Sequence, residues 1–274
     1  MTVPVRRQYV DSRWGQIHLH VAGSLDAKGG GAKKRPLLCF HLSPGSGRMY
    51  LPFLAAMGED RLAIAADTPG YGGSDRPPAP PAAVADYAAA LGDILDALDL
   101  RDIDLMGAHT GSRLAVELAH QRPDRIHRLI LFGAAVYTPE ERARQKVTYV
   151  ASRKGVTITD DYLGSRWKSW SSWRWPGVTD EMVWRSTVDS VLDPERSWWA
   201  HGAVFEHDMG TRMKALPHEV MVVSVKDDIF EPTRRSKAFI NRGTFFERED
   251  WGHWFLEVKT DEFTPVARAF LDRD

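Results

Sequence analysis

Leu105-Met106-Gly107-Ala108-His109-Thr110-Gly111-Ser112 is the stretch on which the reading of this chain turns. Ile103 to Met106 is a short apolar run of strand length, and good helix formers with Leu114, Val116 and Leu118 begin near Thr110 and stop at Pro123. The two meet across a turn of small residues. Gly107 and Gly111 carry no Cβ, so the helix can lie close on the strand. Residue 109 is then lifted out at the strand's carboxyl edge. The apex of such an elbow usually takes positive φ, and histidine is among the non-glycine residues enriched there. A plain strand-to-helix turn capped by a histidine would show the same local pattern, so the surroundings must decide between them.

Outward from this segment the pattern repeats. Leu37 to Phe40, Leu62 to Ala66, Leu129 to Phe132 and Val220 to Val225 are nearly continuous apolar runs, as expected of strands buried on both faces of a parallel sheet. Tyr87, Leu91, Ile94, Leu95 and Leu98 mark one stripe of a helix between them. Alternating strand and helix implies an α/β domain with right-handed crossovers. Ile17, Leu19 and Val21 alternate with His18 and His20, which predicts a half-buried edge strand with two solvated histidines. The segment from Asp26 to Pro36 is a turn-rich break. Thr244 to Glu247 and a helix from Asp261 to Leu271 close the domain.

Further segments follow the carboxyl ends of these strands, where ligand sites form in open α/β sheets. They are His41-Leu42-Ser43-Pro44, Asp67-Thr68-Pro69-Gly70-Tyr71-Gly72-Gly73-Ser74, Lys226-Asp227-Asp228 and Trp251-Gly252-His253-Trp254. In this order, and from Gln8 to Phe270, the chain resembles the α/β-hydrolase superfamily, in particular the branch with haloalkane dehalogenases, epoxide hydrolases and C–C bond hydrolases. The resemblance implies a mostly parallel eight-stranded sheet with helices on both faces and an inserted helical cap. The core would be residues 1–136 and 217–274, and the cap 137–216.

The resemblance also implies the site. His41 to Pro44 matches the oxyanion-loop motif, with Leu42 in place of its glycine, and His41 would be structural. Gly107 to Gly111 matches the nucleophile elbow, with His109 where the nucleophile should stand. His253 matches the catalytic histidine. Asp227 matches its orienting acid best, with the adjacent Asp228 second, because Gly133-Ala134-Ala135 offers no carboxylate at the other position that relatives use. The backbone of Thr110 with that of Leu42 or Ser43 would form the oxyanion hole. An imidazole at the apex can attack a carbonyl or position a water. The expected activity is cofactor-independent hydrolysis of an ester, lactone or C–C bond in a small apolar or aromatic substrate. A lyase or retro-aldol reaction, or ligand binding without turnover, would use the same pocket.

Composition limits the alternatives. The 274 residues carry 36 Lys+Arg and 37 Asp+Glu, a balance that speaks against a nucleic-acid partner or a polybasic membrane surface. No apolar run approaches the roughly 20 residues that span a bilayer. One cysteine, Cys39, and no visible secretory leader suit a cytoplasmic protein. The expected partner is a small-molecule substrate, and a homodimer is possible. Neither a cofactor nor a metal is expected: there is no HExxH, and His41 is assigned a structural part. Seven of the ten tryptophans fall within 137–216. Trp167, Trp170 and Trp173 recur every three residues, and with Trp254 they are candidates to line the pocket. Arg48, beside the oxyanion loop, is a candidate for an anionic end of the substrate.

Overall fold

The computed structural model describes residues 3–24 and 34–273. Eight strands, β1 (Arg6–Ser12), β2 (Gly15–Ala22), β3 (Leu37–Phe40), β4 (Ala63–Ala66), β5 (Ile103–Ala108), β6 (Ile126–Phe132), β7 (Glu219–Val225) and β8 (Gly243–Arg248), form one sheet in the order β1-β2-β4-β3-β5-β6-β7-β8. β2 pairs antiparallel with β1 and β4, and every other pairing is parallel. The continuous apolar runs have a direct cause here. Leu38, Phe40, Leu105, Leu129 and Leu131 face a core closed by α2 (Val84–Ala97) and α3 (Thr110–Gln121). Their neighbours Leu37, Cys39, Met106, Ile130 and Phe132 face a second core under α1 (Leu51–Met57) and the C-terminal helix Thr260–Leu271. Both faces of each strand are buried, so alternation disappears from the sequence.

Two expectations need correction. The edge strand is β1, not β2: its sequence RRQYVDS buries only Val10, which is too polar to announce itself. β2 lies inside the sheet, and His18 and His20 are 7% and 6% exposed rather than solvated. Most of the turn-rich break at 26–36 lies outside the described residues.

Between β6 and β7 the chain runs through α4 (Pro139–Lys146), a π-helical turn (Val147–Ala151), α5 (Tyr162–Ser171), α6 (Asp180–Val191), α7 (Trp199–Val204) and α8 (Met209–Lys214). The later part of this insertion packs into the main core: Ala200, Ala203, Val204, Met209 and Met213 join the cluster that includes Leu114 and Leu118 of α3. Among the described residues no helix is long and apolar enough to cross a membrane.

The elbow is the tightest place in the fold. A Cβ on Gly111 would lie 2.0 Å from the Phe40 carbonyl oxygen, and one on Gly107 would lie 2.2 Å from the Gly111 oxygen. Gly111→Ala should therefore lower stability by about 1–3 kcal/mol through backbone displacement. Gly164→Ala, at an exposed position of α5 with open space around it, should be neutral or raise stability by up to about 1 kcal/mol. Urea midpoints of the two variants check both signs.

Candidate active site

His109 takes φ 52° and ψ −106° at the end of β5, the strained apex expected of it. Its amide donates to the Phe132 carbonyl (2.8 Å), which ties the apex to β6. The imidazole meets the Phe132 ring edge-on, with centroids 4.9 Å apart, and lies over Gly133, where a Cβ would come within 2.6 Å of its Cδ2. Gly133 itself has φ +66°. From this seat Nε2 reaches Asp227 Oδ2 at 3.0 Å. The other oxygen of Asp227 accepts the Ile229 amide at 3.0 Å, and the carboxylate is 1% exposed. A carboxylate only accepts, so Nε2 carries the proton and Nδ1 is the nitrogen left for chemistry.

His253 is held by the second aspartate. Its Nε2 lies 3.1 Å from Asp228 Oδ1, and the Tyr149 hydroxyl donates to Asp228 Oδ2 at 3.3 Å. From the sequence, Asp227 is the preferred acid for His253 and the adjacent Asp228 the second choice. The structure pairs it with Asp228, because successive residues leaving β7 diverge: the first turns to the elbow, the second to the last loop. Two histidine–carboxylate pairs result, with the imidazole centroids 5.3 Å apart. Burial pushes the His253 pKa down, but the hydrogen bond and charge of Asp228 outweigh it and leave the value raised. For Asp228, desolvation acts upward, yet His253, His109 and Tyr149 together hold it well below the usual carboxylate range. The donor atoms of both pairs lie within 4.8 Å of one another, a spacing that a metal ion could also use.

The facing loop is fixed by buried hydrogen bonds. The Thr68 amide donates to His41 Nε2 (2.9 Å), so Nδ1 carries the proton and donates to the Leu42 carbonyl (2.6 Å). Asp67 accepts from Gly47 N, Gly73 N and His18 Nδ1 at 2.6–2.8 Å, which clamps the two loops together. Leu42, Ser43 and Thr110 all line one cavity of about 120 Å³, together with His109, Asp228 and His253.

The tryptophans divide. Trp170 and Trp173 line that cavity and meet the His253 ring at 6.2 and 5.4 Å. Trp254 lines a smaller cavity of about 40 Å³ that shares Trp170 and His253 with the first. Trp167 lines neither: it packs on Trp184 at 6.0 Å beneath the Arg174 guanidinium. Arg48 lines the smaller cavity and pairs with Asp189 at 3.5 Å, so its charge is already matched. Arg113, Arg153 and Arg166 line the larger cavity, and sequence reasoning missed all three. Arg113 sits inside a helical run, and the other two lie in a charged insertion where one arginine looks like the next.

The family model described as alpha/beta hydrolase fold matches residues 35–260. The chain is 26% identical over 265 residues to 2-hydroxymuconate semialdehyde hydrolase of Pseudomonas sp. (strain CF600), covering 86% of each chain. It is 26% identical over 228 residues to 2-hydroxy-6-oxo-2,4-heptadienoate hydrolase of Pseudomonas putida, covering 77% of this chain and 78% of the relative. Among solved structures, a hydrolase from Pseudomonas aeruginosa PA01 superposes with TM-score 0.80 at 19% identity, over 98% of this chain and 99% of that one. At such identity the likeness shows the fold.

The His253–Asp228 pair makes a signed prediction. The NMR titration of His253 should give a pKa above the ordinary value near 6.5, and Asp228→Asn should lower it. The pair's contribution to stability is fully present below that ordinary value and is lost as pH rises through the raised one. The stability difference between wild type and Asp228→Asn should therefore shrink over that interval. A difference that grows with pH there would contradict the assignment.

Proposed function

Because the chain belongs to the α/β-hydrolase-fold family, we propose that it is a cofactor-independent hydrolase in which His109 activates water for attack on a carbonyl carbon. The target is an ester, lactone or C–C bond next to that carbonyl. One observation carries this reading: the apex side chain is an imidazole whose Nε2 is bound to a buried carboxylate, leaving Nδ1 as the basic nitrogen. Nδ1 is flanked by the ring carbon that bears Cβ, so direct attack through it is crowded, whereas a water is small enough to reach it. Water activation is therefore favoured over a covalent acyl-imidazole.

In this scheme Nδ1 of His109 takes a proton from water as the hydroxide oxygen bonds to the carbonyl carbon. Asp227 holds the ring in orientation and stabilises the imidazolium that forms. The developing oxyanion lies against the amides of Thr110 and of Leu42 or Ser43. His253, raised in pKa by Asp228 and with a buried Nδ1 that has no partner among the described residues, is the proton donor to the departing group. Proton exchange with solvent then returns both imidazoles to their starting states. Trp170 and Trp173 provide an aromatic wall for an apolar substrate body. The C–C hydrolases among the relatives are consistent with a carbonyl substrate.

The same base could instead remove a proton from the substrate itself and start a lyase or retro-aldol cleavage, and the absence of a hydroxyl or thiol at position 109 favours keeping that second reading. Turnover of activated aryl esters separates the two. Hydrolysis should be measurable in wild type and fall by about 10²–10⁴-fold in His109→Ala. Rapid-quench mass spectrometry should find no acyl adduct, and prolonged dialysis against a chelator should leave the rate unchanged. An acyl-enzyme would overturn the water mechanism. Loss of activity on chelation, restored by a divalent ion, would assign the two pairs to a metal.

A further inference from the structure

A larger cavity adjoins the one that holds the histidines. A chamber of about 380 Å³ lies within the insertion and shares Tyr149, Arg153, Arg166 and Ser169 with the reaction cavity. Arg153 follows the π-helical turn and Arg166 sits on α5, so two separate elements bring the guanidiniums to one shared wall. Among the described residues neither comes within ion-pair distance of a carboxylate, although most other arginines of the protein do. Arg153 rests on the Tyr149 ring at 5.0 Å, and Arg166 keeps a buried Nε with no partner. Two partly buried like charges on one wall repel, and among the described residues no carboxylate within ion-pair distance offsets them. A group of charge −2 would.

The rest of the chamber fits such a group attached to a hydroxylated body. The hydroxyls of Ser152, Ser165, Ser190 and Ser197 donate to backbone carbonyls of their own segments, which leaves their lone pairs as acceptors. Acceptors of this kind bind ligand hydroxyls.

We propose that this chamber is a subsite for a dianionic group of the phosphate-monoester class, with Arg153 and Arg166 as its ligands, and that the enzyme's substrate carries such a group on a polar tail. The inference rests on reading the adjoining cavity as the reaction site, since the shared wall is what makes the chamber part of substrate recognition. A phosphate carries more charge than a carboxylate and spreads it over three oxygens, which two guanidinium forks can share.

The test uses the full chain with His109→Ala, so that binding is measured without turnover. Calorimetric titration at low ionic strength with inorganic phosphate and with glycerol 2-phosphate should give saturable binding, tighter for the glycerol ester, and acetate should bind at least tenfold more weakly than phosphate. Arg153→Gln and Arg166→Gln should each weaken phosphate by about tenfold, and the double variant should abolish it. Unchanged melting temperature and far-ultraviolet circular dichroism in the single variants would show that they fold. Phosphate binding that is absent, or equal in the double variant, overturns the subsite. Phosphate binding in His109→Ala, together with a wild-type protein that turns over no aryl ester, supports the subsite while removing the hydrolase reading. Acetate binding as well as phosphate would overturn the dianion assignment.

Discussion

The hydrogen bond between His109 Nε2 and Asp227, 3.0 Å long and nearly closed to solvent, organises everything else at the carboxyl edge of this sheet. It fixes which face of the apex imidazole is spent and which is free. It also occupies the first carboxylate after β7, so the last loop's histidine must take the second. Gly133 is part of the same constraint: with a side chain there, the ring could not lie where Asp227 receives it. The strained backbone at position 109 persists because β3, β5 and β6 all close on the elbow, through the Phe40 and Phe132 carbonyls and two glycines that cannot be larger.

The insertion adds two different environments to that edge. The indoles of Trp170, Trp173 and Trp254 lie against the His253 ring as aromatic surface. Arg153 and Arg166, lining the same cavity as Trp170 and Trp173, bring positive charge that no carboxylate among the described residues pairs. An apolar reacting end and an anionic distal end are the pair of substrate features that such a division would select. The protein's near-neutral total charge hides this, because most of its ion pairs are formed on the surface and cancel locally.

Much of this was legible in the sequence for identifiable reasons. Two-faced burial writes strands β3 to β7 as continuous apolar runs, and Gly107, His109 and Gly111 mark the elbow by the absence of side chains where backbones touch. β1 was invisible because an edge strand with one buried residue has no apolar period to show. His18 and His20 alternate like surface residues, yet Asp67, placed by a distant turn, draws His18 into a buried hydrogen bond. The choice between Asp227 and Asp228 could not be read from neighbours in a chain, since it depends on which way each side chain leaves the end of β7. Trp167 was grouped with Trp170 by spacing alone, and the helix turns it toward Trp184 instead. Arg113, Arg153 and Arg166 gave no signal, because what distinguishes them is the lack, among the described residues, of a carboxylate partner in space.

The claim that His109 works through Nδ1 is tested most directly by its tautomer. Nitrogen-15 spectra of the selectively labelled histidine, recorded where the ring is neutral, should show Nε2 protonated and Nδ1 bare, and Asp227→Asn should disturb that preference. A neutral His109 that carries its proton on Nδ1 would contradict the account, because the nitrogen assigned to water would then be a donor rather than a base.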